Sequence, residues 1–316
     1  MSDLVVAPIG VGTWQWGDRQ YWRYGAAYQR ADVEAAFDAA LAAGLDLFDT
    51  AELYGRGESE QILGGLIRTR RAAPVVATKY MPFPNRLRES SVDQAVDRSL
   101  ARLGVRSLDL YYVHWPFSLM PHRALVRALT RVVRDGRVRY VGVSNYAAAG
   151  MRRVHAMLAH HGVPLVANQV QYSLVRRAPE VNGVLDACTD LGVALVAYSP
   201  LGQGLLTGKY DPLHRPADAR RLTGQFRGDR LQRASPLIQA LRAIASARGL
   251  VAAQVALAWL LRDERVIPIP GVKSAEQART NAAAASVALN TDEQALLDGL
   301  SAPYRAARAL VGRWVG

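Results

Sequence analysis

Short apolar segments alternate with amphipathic helix patterns along almost the whole chain, and this alternation most constrains the fold. Residues 33–41 show one helix pattern, which Gly44 ends, and the apolar run 45–48 follows at once. Uniformly apolar strands that alternate with helices indicate a parallel sheet covered on both faces. Eight such runs, each before a helix pattern, occur at 9–12, 45–48, 74–78, 107–113, 138–143, 165–170, 193–198 and 266–269. Eight units in 316 residues predict an α/β fold of the (β/α)8 TIM-barrel type, with residues 1–316 forming a single domain.

The helix bounds follow from the same periodicity and from end signals. Ser91 and Gln94 have the spacing of a capping box, and Gly104 closes the helix that they start. Helices are predicted at 33–41, 59–68, 91–103, 122–134, 147–161, 179–191, 236–248, 251–262 and, as the last one, 274–285. A long polar, glycine-rich loop is predicted at about 201–235 and a C-terminal tail at about 286–316.

A doubly wound open sheet is the alternative architecture, and it usually carries a glycine fingerprint for phosphate. Gly10 and Gly12 start such a pattern, but Gln15 stands where the third glycine belongs. The glycine loop at 204–210 lacks the spacing and the hydroxyl of a P-loop. Neither motif favours a Rossmann-type or nucleoside-triphosphatase interpretation.

The net charge of +12 raises the question of a nucleic-acid partner. Lys79, Lys209 and Lys273 are the only lysines among 39 basic residues, and the rest are arginine. The excess of arginine and alanine is typical of a GC-rich genome, and the arginines are spread over most predicted helices. This distribution indicates a solvated surface, so we expect no nucleic-acid partner.

Targeting and metal-binding signals are weak in this sequence. Residues 1–10 lack a basic segment before an apolar run, so no secretion signal is expected. The apolar helix candidate at 251–261 is shorter than the roughly 20 residues of a membrane span. Cys188 has no second cysteine to pair with, and the six histidines lack metal-ligand spacing. We therefore expect a bacterial protein of the reducing cytoplasm, without a membrane association or a metal site.

Polar residues stand where the predicted strands end, which is the side of a (β/α)8 barrel that carries the chemistry. Strand two ends in Asp49 and its loop carries Tyr54, strand three ends in Lys79, and strand four ends in His114. The later strands end in Ser144 and Asn145, Asn168 and Gln169, and Tyr198 and Ser199.

Four of these side chains fit the needs of carbonyl reduction. Such a reaction needs a phenol that gives a proton, a cation that lowers the phenol pKa, a carboxylate that holds the cation, and a second donor that orients the carbonyl. Tyr54, Lys79, Asp49 and His114 supply these groups in that order. We expect the Lys79 ammonium to lower the pKa of Tyr54 from its ordinary value near 10.

The same positions resemble the ordered motif series of the aldo-keto reductase superfamily, from Gly10 to Asn281. The matching segments are Gly12-Thr13-Trp14, Asp49-Thr50-Ala51 with Tyr54-Gly55, Thr78-Lys79, His114-Trp115-Pro116, Val143-Ser144-Asn145, Asn168-Gln169-Val170-Gln171-Tyr172, Tyr198-Ser199-Pro200-Leu201 and Ile269-Pro270-Gly271. The resemblance implies NADPH-dependent reduction of an aldehyde or ketone to an alcohol. It assigns Tyr54 as general acid, Lys79 as its partner, Asp49 as the counter-ion of Lys79, and His114 as the group that orients the carbonyl.

The resemblance also implies that NADPH lies extended across the barrel mouth. Ser144, Asn145 and Gln169 would hold the nicotinamide carboxamide and Tyr198 would stack on the ring. Residues 201–209 would cover the pyrophosphate, Lys273 and Ser274 would meet the 2′-phosphate, and Gln277 with Asn281 the adenine end. Many relatives have glutamate where this chain has Thr280. The full set of implied cofactor residues is Gly12, Thr13, Trp14, Asp49, Ser144, Asn145, Gln169, Tyr198, Ser199, Pro200, Leu201, Gly204, Leu206, Lys209, Ile269, Gly271, Lys273, Ser274, Gln277 and Asn281, and Arg227 is a further candidate for the phosphates.

Aromatic side chains of the mouth loops are expected to line a pocket for a small carbonyl substrate. The predicted pocket comprises Trp14, Trp22, Tyr54, His114 and Trp115. Further candidates are Trp16, Tyr24, Phe117, Met120 and Trp314. Such a pocket suits an apolar or aromatic aldehyde or ketone.

Three other functions stay open at the level of sequence. One is a catalytically weak NADPH-binding redox sensor or regulatory partner, because potassium-channel β-subunits resemble the same superfamily. A nucleic-acid-binding protein would show binding that depends on salt. A metal-dependent barrel hydrolase would lose activity in EDTA.

Overall fold

Eight parallel strands form one sheet within the described residues of the computed structural model, which are 4–211, 213–227 and 229–306. The strands are β1 (Val11–Gly12), β2 (Leu47–Asp49), β3 (Val75–Tyr80), β4 (Leu108–Val113), β5 (Val138–Ser144), β6 (Leu165–Gln171), β7 (Ala194–Tyr198) and β8 (Val266–Ile269). Each strand pairs with the next one along the chain. Gly12 bridges to Gly271 beyond β8, and its N–H donates to the Pro270 carbonyl at 2.9 Å. These contacts join the first and last strands, and the predicted (β/α)8 barrel is confirmed.

Helices lie between the strands and cover the outside of the barrel. In the described ranges they are α1 (Arg30–Ala42), α2 (Glu58–Arg70), α3 (Ser90–Leu103), α4 (His122–Arg134), α5 (Ala148–His160), α6 (Val184–Leu191), α7 (Arg230–Arg233), α8 (Ser235–Ala247), α9 (Ala252–Leu261), α10 (Ala275–Ala283) and α11 (Thr291–Ser301). The bounds of α4 and β8 coincide with the predicted ones, and most other bounds agree within a few residues.

Two helix starts differ from the prediction. Helix α3 begins at Ser90 after the N-cap Glu89, and no side chain caps it, so the predicted capping box of Ser91 is wrong. Ser91 is already inside the helix, where its N–H donates to the Arg88 carbonyl at 2.9 Å. The predicted helix 179–191 is also divided, because Gly183 adopts a left-handed conformation with φ 77° and α6 starts only after it.

The C-terminal part contains more regular structure than expected. Helix α10 is not the last helix, since α11 occupies part of the expected tail. Asn290 and Glu293 form a capping box at the start of α11, and this signal is visible in the sequence. The long loop after β7 contains two short 3-10 turns, Gly202–Thr207 and Ala219–Leu222, and helix α7.

The interior of the barrel changes from apolar to polar along the strands. A buried cluster inside the barrel consists of Leu47, Ala77, Leu110, Tyr112, Tyr140, Ala167, Val196 and Ile269. Side chains alternate across a strand, so the next inward position lies two residues further along. For Leu47, Ala77 and Tyr112 these positions are Asp49, Lys79 and His114. The fold therefore gathers the polar strand-end residues above an apolar plug.

No single helix of the described ranges is long and apolar enough to cross a membrane. Helices α8 and α9 pass such a test only as a pair, and they are bent by 99° relative to each other. Most side chains of α9 are buried inside the protein. Burial of this kind is expected of a core helix.

Candidate active site

A buried ion pair stands at the centre of the barrel mouth. The Lys79 Nζ donates to Asp49 Oδ1 at 2.5 Å and to the Thr50 carbonyl at 2.7 Å. Lys79 is 0% exposed and Asp49 is 2% exposed. The second carboxylate oxygen of Asp49 accepts a hydrogen bond from Gln169 Nε2 at 2.7 Å. Side chains from β2, β3 and β6 thus supply one another's hydrogen-bond partners within a buried site.

Tyr54 and His114 lie beside this pair. Tyr54 starts a short 3-10 turn after β2, and the Lys79 Nζ lies 4.9 Å from the centroid of its ring. The imidazole of His114 meets the Tyr54 ring edge-on, with centroids 6.0 Å apart. The four residues predicted as catalytic are therefore brought together, and we call them the catalytic cluster.

Burial dominates the protonation behaviour of this cluster. It lowers the pKa of Lys79 and raises the pKa of Asp49, while the attraction between the two charges opposes both shifts. Burial, together with the nearby Lys79 charge, lowers the pKa of His114 to about 3. His114 is therefore a neutral imidazole near pH 7.

The expected effect of Lys79 on Tyr54 is not what the structure produces. Burial raises the pKa of the Tyr54 phenol well above 10, and the charges of Asp49 and Tyr198 raise it further. Burial is the physical reason, because it outweighs any lowering of this pKa by the Lys79 ammonium, which is bonded to Asp49 and Thr50 and lies 4.9 Å from the centroid of the tyrosine ring. The phenol therefore carries its proton at neutral pH.

A second hydrogen-bonded group lies on the adjacent strand ends. The Tyr198 hydroxyl donates to Asn145 Oδ1 at 3.0 Å, and Asn145 Nδ2 donates to the His114 carbonyl at 3.2 Å and to Ser144 Oγ at 3.0 Å. The Ser144 hydroxyl donates to the Gln169 carbonyl at 2.9 Å. The predicted carboxamide-binding residues are thus connected to the catalytic cluster through β4 and β6.

A cavity of about 520 Å³ opens from Tyr54 and Asp49 towards α10. Most of the predicted cofactor residues line it: Gly12, Trp14, Asp49, Tyr198, Ser199, Pro200, Leu201, Gly204, Lys209, Ile269, Gly271, Lys273, Ser274, Gln277 and Asn281. Thr280 lines it as well. The cavity is therefore built by strand ends, by the loop after β7 and by the first turns of α10.

Five predicted cofactor residues do not line this cavity, and they are Thr13, Ser144, Asn145, Gln169 and Leu206. Leu206 is fully buried in the hydrophobic core, so its side chain is unsuited to contact a cofactor. The Thr13 hydroxyl donates to the Asp49 carbonyl at 2.9 Å inside the barrel wall. Its side chain has a structural role that the motif did not reveal.

The cavity contains one cation that the sequence motifs do not predict. Arg220 lines it and is 7% exposed, whereas Arg227, the predicted candidate, is exposed and lies outside the lining. The Arg220 guanidinium donates to Asp218 through Nε at 2.8 Å and through Nη2 at 2.7 Å, and to the Gln203 carbonyl at 2.9 Å. It also lies 5.0 Å from the Trp22 ring. These contacts connect the loop after β7 with the loop after β1, and no local sequence signal encodes them.

Arg220 forms a cation cluster with Lys209 and Lys273. Burial lowers the pKa of both lysines, and their mutual repulsion and that of Arg220 lower the pKa of Lys273 further. Asp218 is the carboxylate that opposes this effect. An excess of positive charge in a partly buried cavity is suited to an anionic ligand.

Some of the residues predicted for the aromatic pocket line the cavity, and others are buried in the hydrophobic core. Trp14 and Trp22 line the cavity and meet at right angles, 5.4 Å apart. His114 and Trp115, which were expected in the pocket, and Phe117 lie outside the lining; His114 stacks on Trp115, which stacks on Phe117, with centroids 6.4 and 5.5 Å apart. Trp16 and Met120 are core residues instead, since both are at most 1% exposed, and Trp16 donates to the Val272 carbonyl at 2.7 Å. Tyr24 packs on Tyr28 outside the lining, and Trp314 lies outside the described residues.

No group of three or more His, Cys, Asp or Glu residues within 4–211, 213–227 and 229–306 is arranged to hold a metal ion. The one cysteine, Cys188, is buried in the core, and burial raises the pKa of its thiol to about 12. Among the reactive groups of the site, Tyr54 and Asp49 line the cavity, whereas Lys79 and His114 lie behind this lining in contact with Tyr54.

Comparison with known proteins agrees with this geometry. Residues 8–302 match the model of the aldo/keto reductase family. The chain is 38% identical over 311 residues to a chloroplastic pyridoxal reductase of Arabidopsis thaliana, covering 94% of this chain and 84% of the relative. It is 39% identical over 304 residues to an uncharacterized oxidoreductase of Mycobacterium tuberculosis, covering 95% of this chain and 91% of the relative.

Solved structures give the same result. An aldo-keto reductase from Klebsiella pneumoniae in complex with NADPH superposes with a TM-score of 0.76 at 31% identity, over 96% of this chain and 93% of the other. The thermostable aldo-keto reductase Tm1743, solved with the inhibitor epalrestat, superposes with a TM-score of 0.76 at 30% identity, over 95% of this chain and 97% of the other. With its barrel, its catalytic cluster and these matches over nearly its whole length, the chain belongs to the aldo/keto reductase family of oxidoreductases.

Proposed function

We propose that this protein reduces an aldehyde or ketone to an alcohol with NADPH, and that Tyr54 is the general acid. The observation that carries the proposal is the phenol of Tyr54, held beside the buried Lys79–Asp49 pair and His114 at one end of a long cationic cavity. Because its pKa lies well above 10, the phenol carries the proton that reduction requires.

The residues of the cavity fit an extended dinucleotide phosphate. Lys209, Arg220 and Lys273 supply positive charge for phosphates at its centre. Asn281 is 3% exposed and its Nδ2 has no hydrogen-bond partner in the described part of the chain, so it is suited to an acceptor of the adenine end. A Cβ on Gly12 would lie 2.9 Å from the Ile269 carbonyl, so the close approach of β1 to the end of β8 at the cavity wall requires glycine there.

Binding of NADPH by the relative from Klebsiella pneumoniae supports the same cofactor here. Lys273 and Ser274 would hold the 2′-phosphate, and residues 201–209 with Arg220 the pyrophosphate. Ser144, Asn145 and Gln169 would hold the carboxamide, and Tyr198 would pack on the ring. When bound, NADPH supplies the hydride that adds to the carbonyl carbon.

The protein supplies the proton and the orientation. The Tyr54 hydroxyl would donate its proton to the carbonyl oxygen, and the neutral His114 would donate a hydrogen bond to the same oxygen. The Lys79 ammonium beside the ring stabilises the tyrosinate formed in that step, and Asp49 holds the ammonium in place. The buried site keeps water from competing for the proton.

The wall near Tyr54 favours planar substrates. Trp14 lies 6.2 Å from the Tyr54 ring, and the stacked rings of His114, Trp115 and Phe117 continue towards solvent. Flat rings stack on such a surface. Aromatic aldehydes, including pyridoxal, for which the Arabidopsis thaliana relative is named, are the substrates that we propose to test first.

The test compares the wild-type protein with Tyr54→Phe in NADPH oxidation with a panel of aromatic and aliphatic aldehydes and ketones. General acids contribute about 100- to 10,000-fold to rates, so the turnover number of Tyr54→Phe should fall by a factor in that range. Its affinity for NADPH, measured by quenching of tryptophan fluorescence, should stay at the wild-type value.

Two results would contradict the proposal. Full activity of Tyr54→Phe would exclude Tyr54 as the acid. NADPH binding by the wild-type protein without turnover of any carbonyl would favour the redox sensor or regulatory partner instead.

A further inference from the structure

Three hydroxyl groups lie buried beneath the turn that carries Tyr54. Thr13, Thr50 and Ser59 are each 0% exposed. Thr50 Oγ1 donates to Ser59 Oγ at 2.9 Å, Ser59 Oγ lies 2.8 Å from Thr13 Oγ1, and Thr13 Oγ1 donates to the Asp49 carbonyl at 2.9 Å. These side chains come from the end of β1, the end of β2 and the first turn of α2.

The hydrogen bonds among these hydroxyl groups run in one direction. Each hydroxyl has one proton to donate. The Thr50 proton goes to Ser59, the Ser59 proton goes to the Thr13 carbonyl at 2.9 Å, and the Thr13 hydroxyl proton goes to the Asp49 carbonyl. The hydroxyl chain thus runs from Thr50 through Ser59 and Thr13 to Asp49. It ties α2 to the Asp49–Thr50 peptide, whose own carbonyl and N–H bond to the Thr13 N–H and to the Ala77 carbonyl.

The clamped peptide determines where the Lys79 ammonium lies. Lys79 Nζ donates to the Asp49 side chain and to the Thr50 carbonyl, which flank the same peptide. A displacement of Asp49 and Thr50 as a unit would move both acceptors at once. The ammonium would then leave its position 4.9 Å from the Tyr54 ring.

The bond between Thr50 and Ser59 also closes the loop that carries Tyr54. Gly55, Arg56 and Gly57 follow the tyrosine with φ angles of 55°, 57° and 95°. A non-glycine residue in the left-handed region is strained, so Arg56 keeps its conformation only where the surroundings hold it. The hydroxyl chain is a contact that holds both ends of this strained loop.

We propose that Ser59, with Thr13 and Thr50, is a positioning residue for the reduction, because its hydroxyl holds Tyr54 and Lys79 at their working distance. This inference rests on the proposed function. None of the three side chains lines the cavity, so they act through Tyr54, Lys79 and Asp49 and not on the substrate.

The experiment uses matched variants of the full-length protein. Thr50→Val removes the hydroxyl at nearly constant shape, Thr50→Ser keeps the hydroxyl, and Ser59→Ala breaks the chain at its centre. Thr130→Val is the control, because the Thr130 hydroxyl is buried on α4 and has no partner among the described residues. Turnover number, KM and NADPH affinity are measured for each with an aldehyde that the wild-type protein reduces.

Thr50→Val and Ser59→Ala should lower the turnover number about 10- to 100-fold, since small displacements of reacting groups have effects of this size. Their NADPH affinity should stay at the wild-type value, and Thr50→Ser and Thr130→Val should keep wild-type turnover. Thr50→Val at wild-type rate would overturn the proposal. Thr50→Ser as slow as Thr50→Val would do so too, because the packing of the whole side chain and not its hydroxyl would then be the cause.

Proteolysis supplies a readout that does not depend on turnover. Arg56 is an exposed trypsin site inside the strained loop. Trypsin should cleave after Arg56 faster in Thr50→Val than in the wild-type protein, Thr50→Ser or Thr130→Val. Equal cleavage rates in all these proteins would overturn the positioning role, whether or not the wild-type protein reduces a carbonyl. Lack of carbonyl reduction by the wild-type protein would contradict only the proposed function.

Discussion

The catalytic cluster and the cation cluster adjoin one cavity, which Asp49 and Tyr54 of the first and all three cations of the second line, but they balance charge in opposite ways. In the catalytic cluster, Lys79 and Asp49 neutralise each other, and Thr50 and Gln169 complete their hydrogen bonds. In the cation cluster, Asp218 is paired with Arg220, while Lys209 and Lys273 repel each other and have no ion-pair partner within the described ranges.

The difference shows that the catalytic cluster is neutral without a ligand, whereas the cation cluster keeps a surplus of positive charge. Strand ends of a closed barrel build the catalytic cluster, so its geometry is part of the fold. Loops build the cation cluster, and its surplus positive charge suits a polyanionic cofactor. Substitutions in the first region should therefore reduce stability and chemistry together, whereas those in the second should change cofactor affinity.

The largest expected effect is that of Lys79→Met. Breaking a buried pair leaves an uncompensated charge, which costs about 3–5 kcal/mol in the free energy of unfolding. The turnover number should fall as well, because the tyrosinate loses its stabilising charge. Urea denaturation and NADPH oxidation measure the two losses.

The double variant Asp49→Asn/Lys79→Met tests the cause of that instability. Without the carboxylate no charge is left buried, so the double variant should recover part of the lost stability but none of the activity. If it is as unstable as Lys79→Met alone, loss of packing and not of charge explains the result.

Lys273→Ala should have a smaller effect, confined to the cofactor. Hydrogen bonds to charged groups contribute about 1.5–3 kcal/mol, so NADPH affinity should fall about 10- to 100-fold while NADH affinity changes little. Thermal stability should be retained. Arg227→Ala is the matched control, because Arg227 is exposed and lies outside the cavity lining. Equal losses for NADPH and NADH would exclude Lys273 as the 2′-phosphate ligand.

The two regions also differed in how well the sequence predicted them. Asp49, Lys79 and His114 could be identified because strand ends are visible as breaks in apolar runs, and a parallel barrel brings all strand ends to one rim. Arg220 could not, since its place depends on the path of a long loop and on contacts with Trp22 and Gln203, far away in the sequence.

The direction in which a side chain points is the second feature that the sequence does not predict. The motif pairs Lys79 with Tyr54 and with Asp49, but it does not show that the ammonium also donates to the Thr50 carbonyl and lies against the tyrosine ring. For the same reason Thr13 was interpreted as a cofactor residue, although its hydroxyl belongs to the barrel wall. Hydrogen-bond partners across the barrel depend on register and rotamer, which the local pattern does not encode.

At neutral pH the last expected effect disappears, because it concerns how stability depends on acidic pH. The pKa of His114 is about 3 in the folded protein, whereas an ordinary histidine has a pKa near 6.5. The unfolded chain therefore takes up a proton below pH 6.5 that the folded protein takes up only near pH 3. The stability contributed by the neutral imidazole is complete above pH 6.5 and decreases by up to about 1.4 kcal/mol per pH unit as the pH falls.

The variant His114→Gln lacks this proton uptake, so it isolates the contribution of one residue. Between pH 6.5 and pH 4.5 the wild-type protein should lose about 2–3 kcal/mol more unfolding free energy than His114→Gln. Urea denaturation at a series of pH values measures the difference. Parallel curves for the two proteins would mean that the pKa of His114 is the same in the folded and the unfolded chain, and the folded state would then not favour the neutral imidazole. A steeper wild-type curve would instead identify His114 as a neutral donor, the form that a catalytic cluster with its own balanced charge requires.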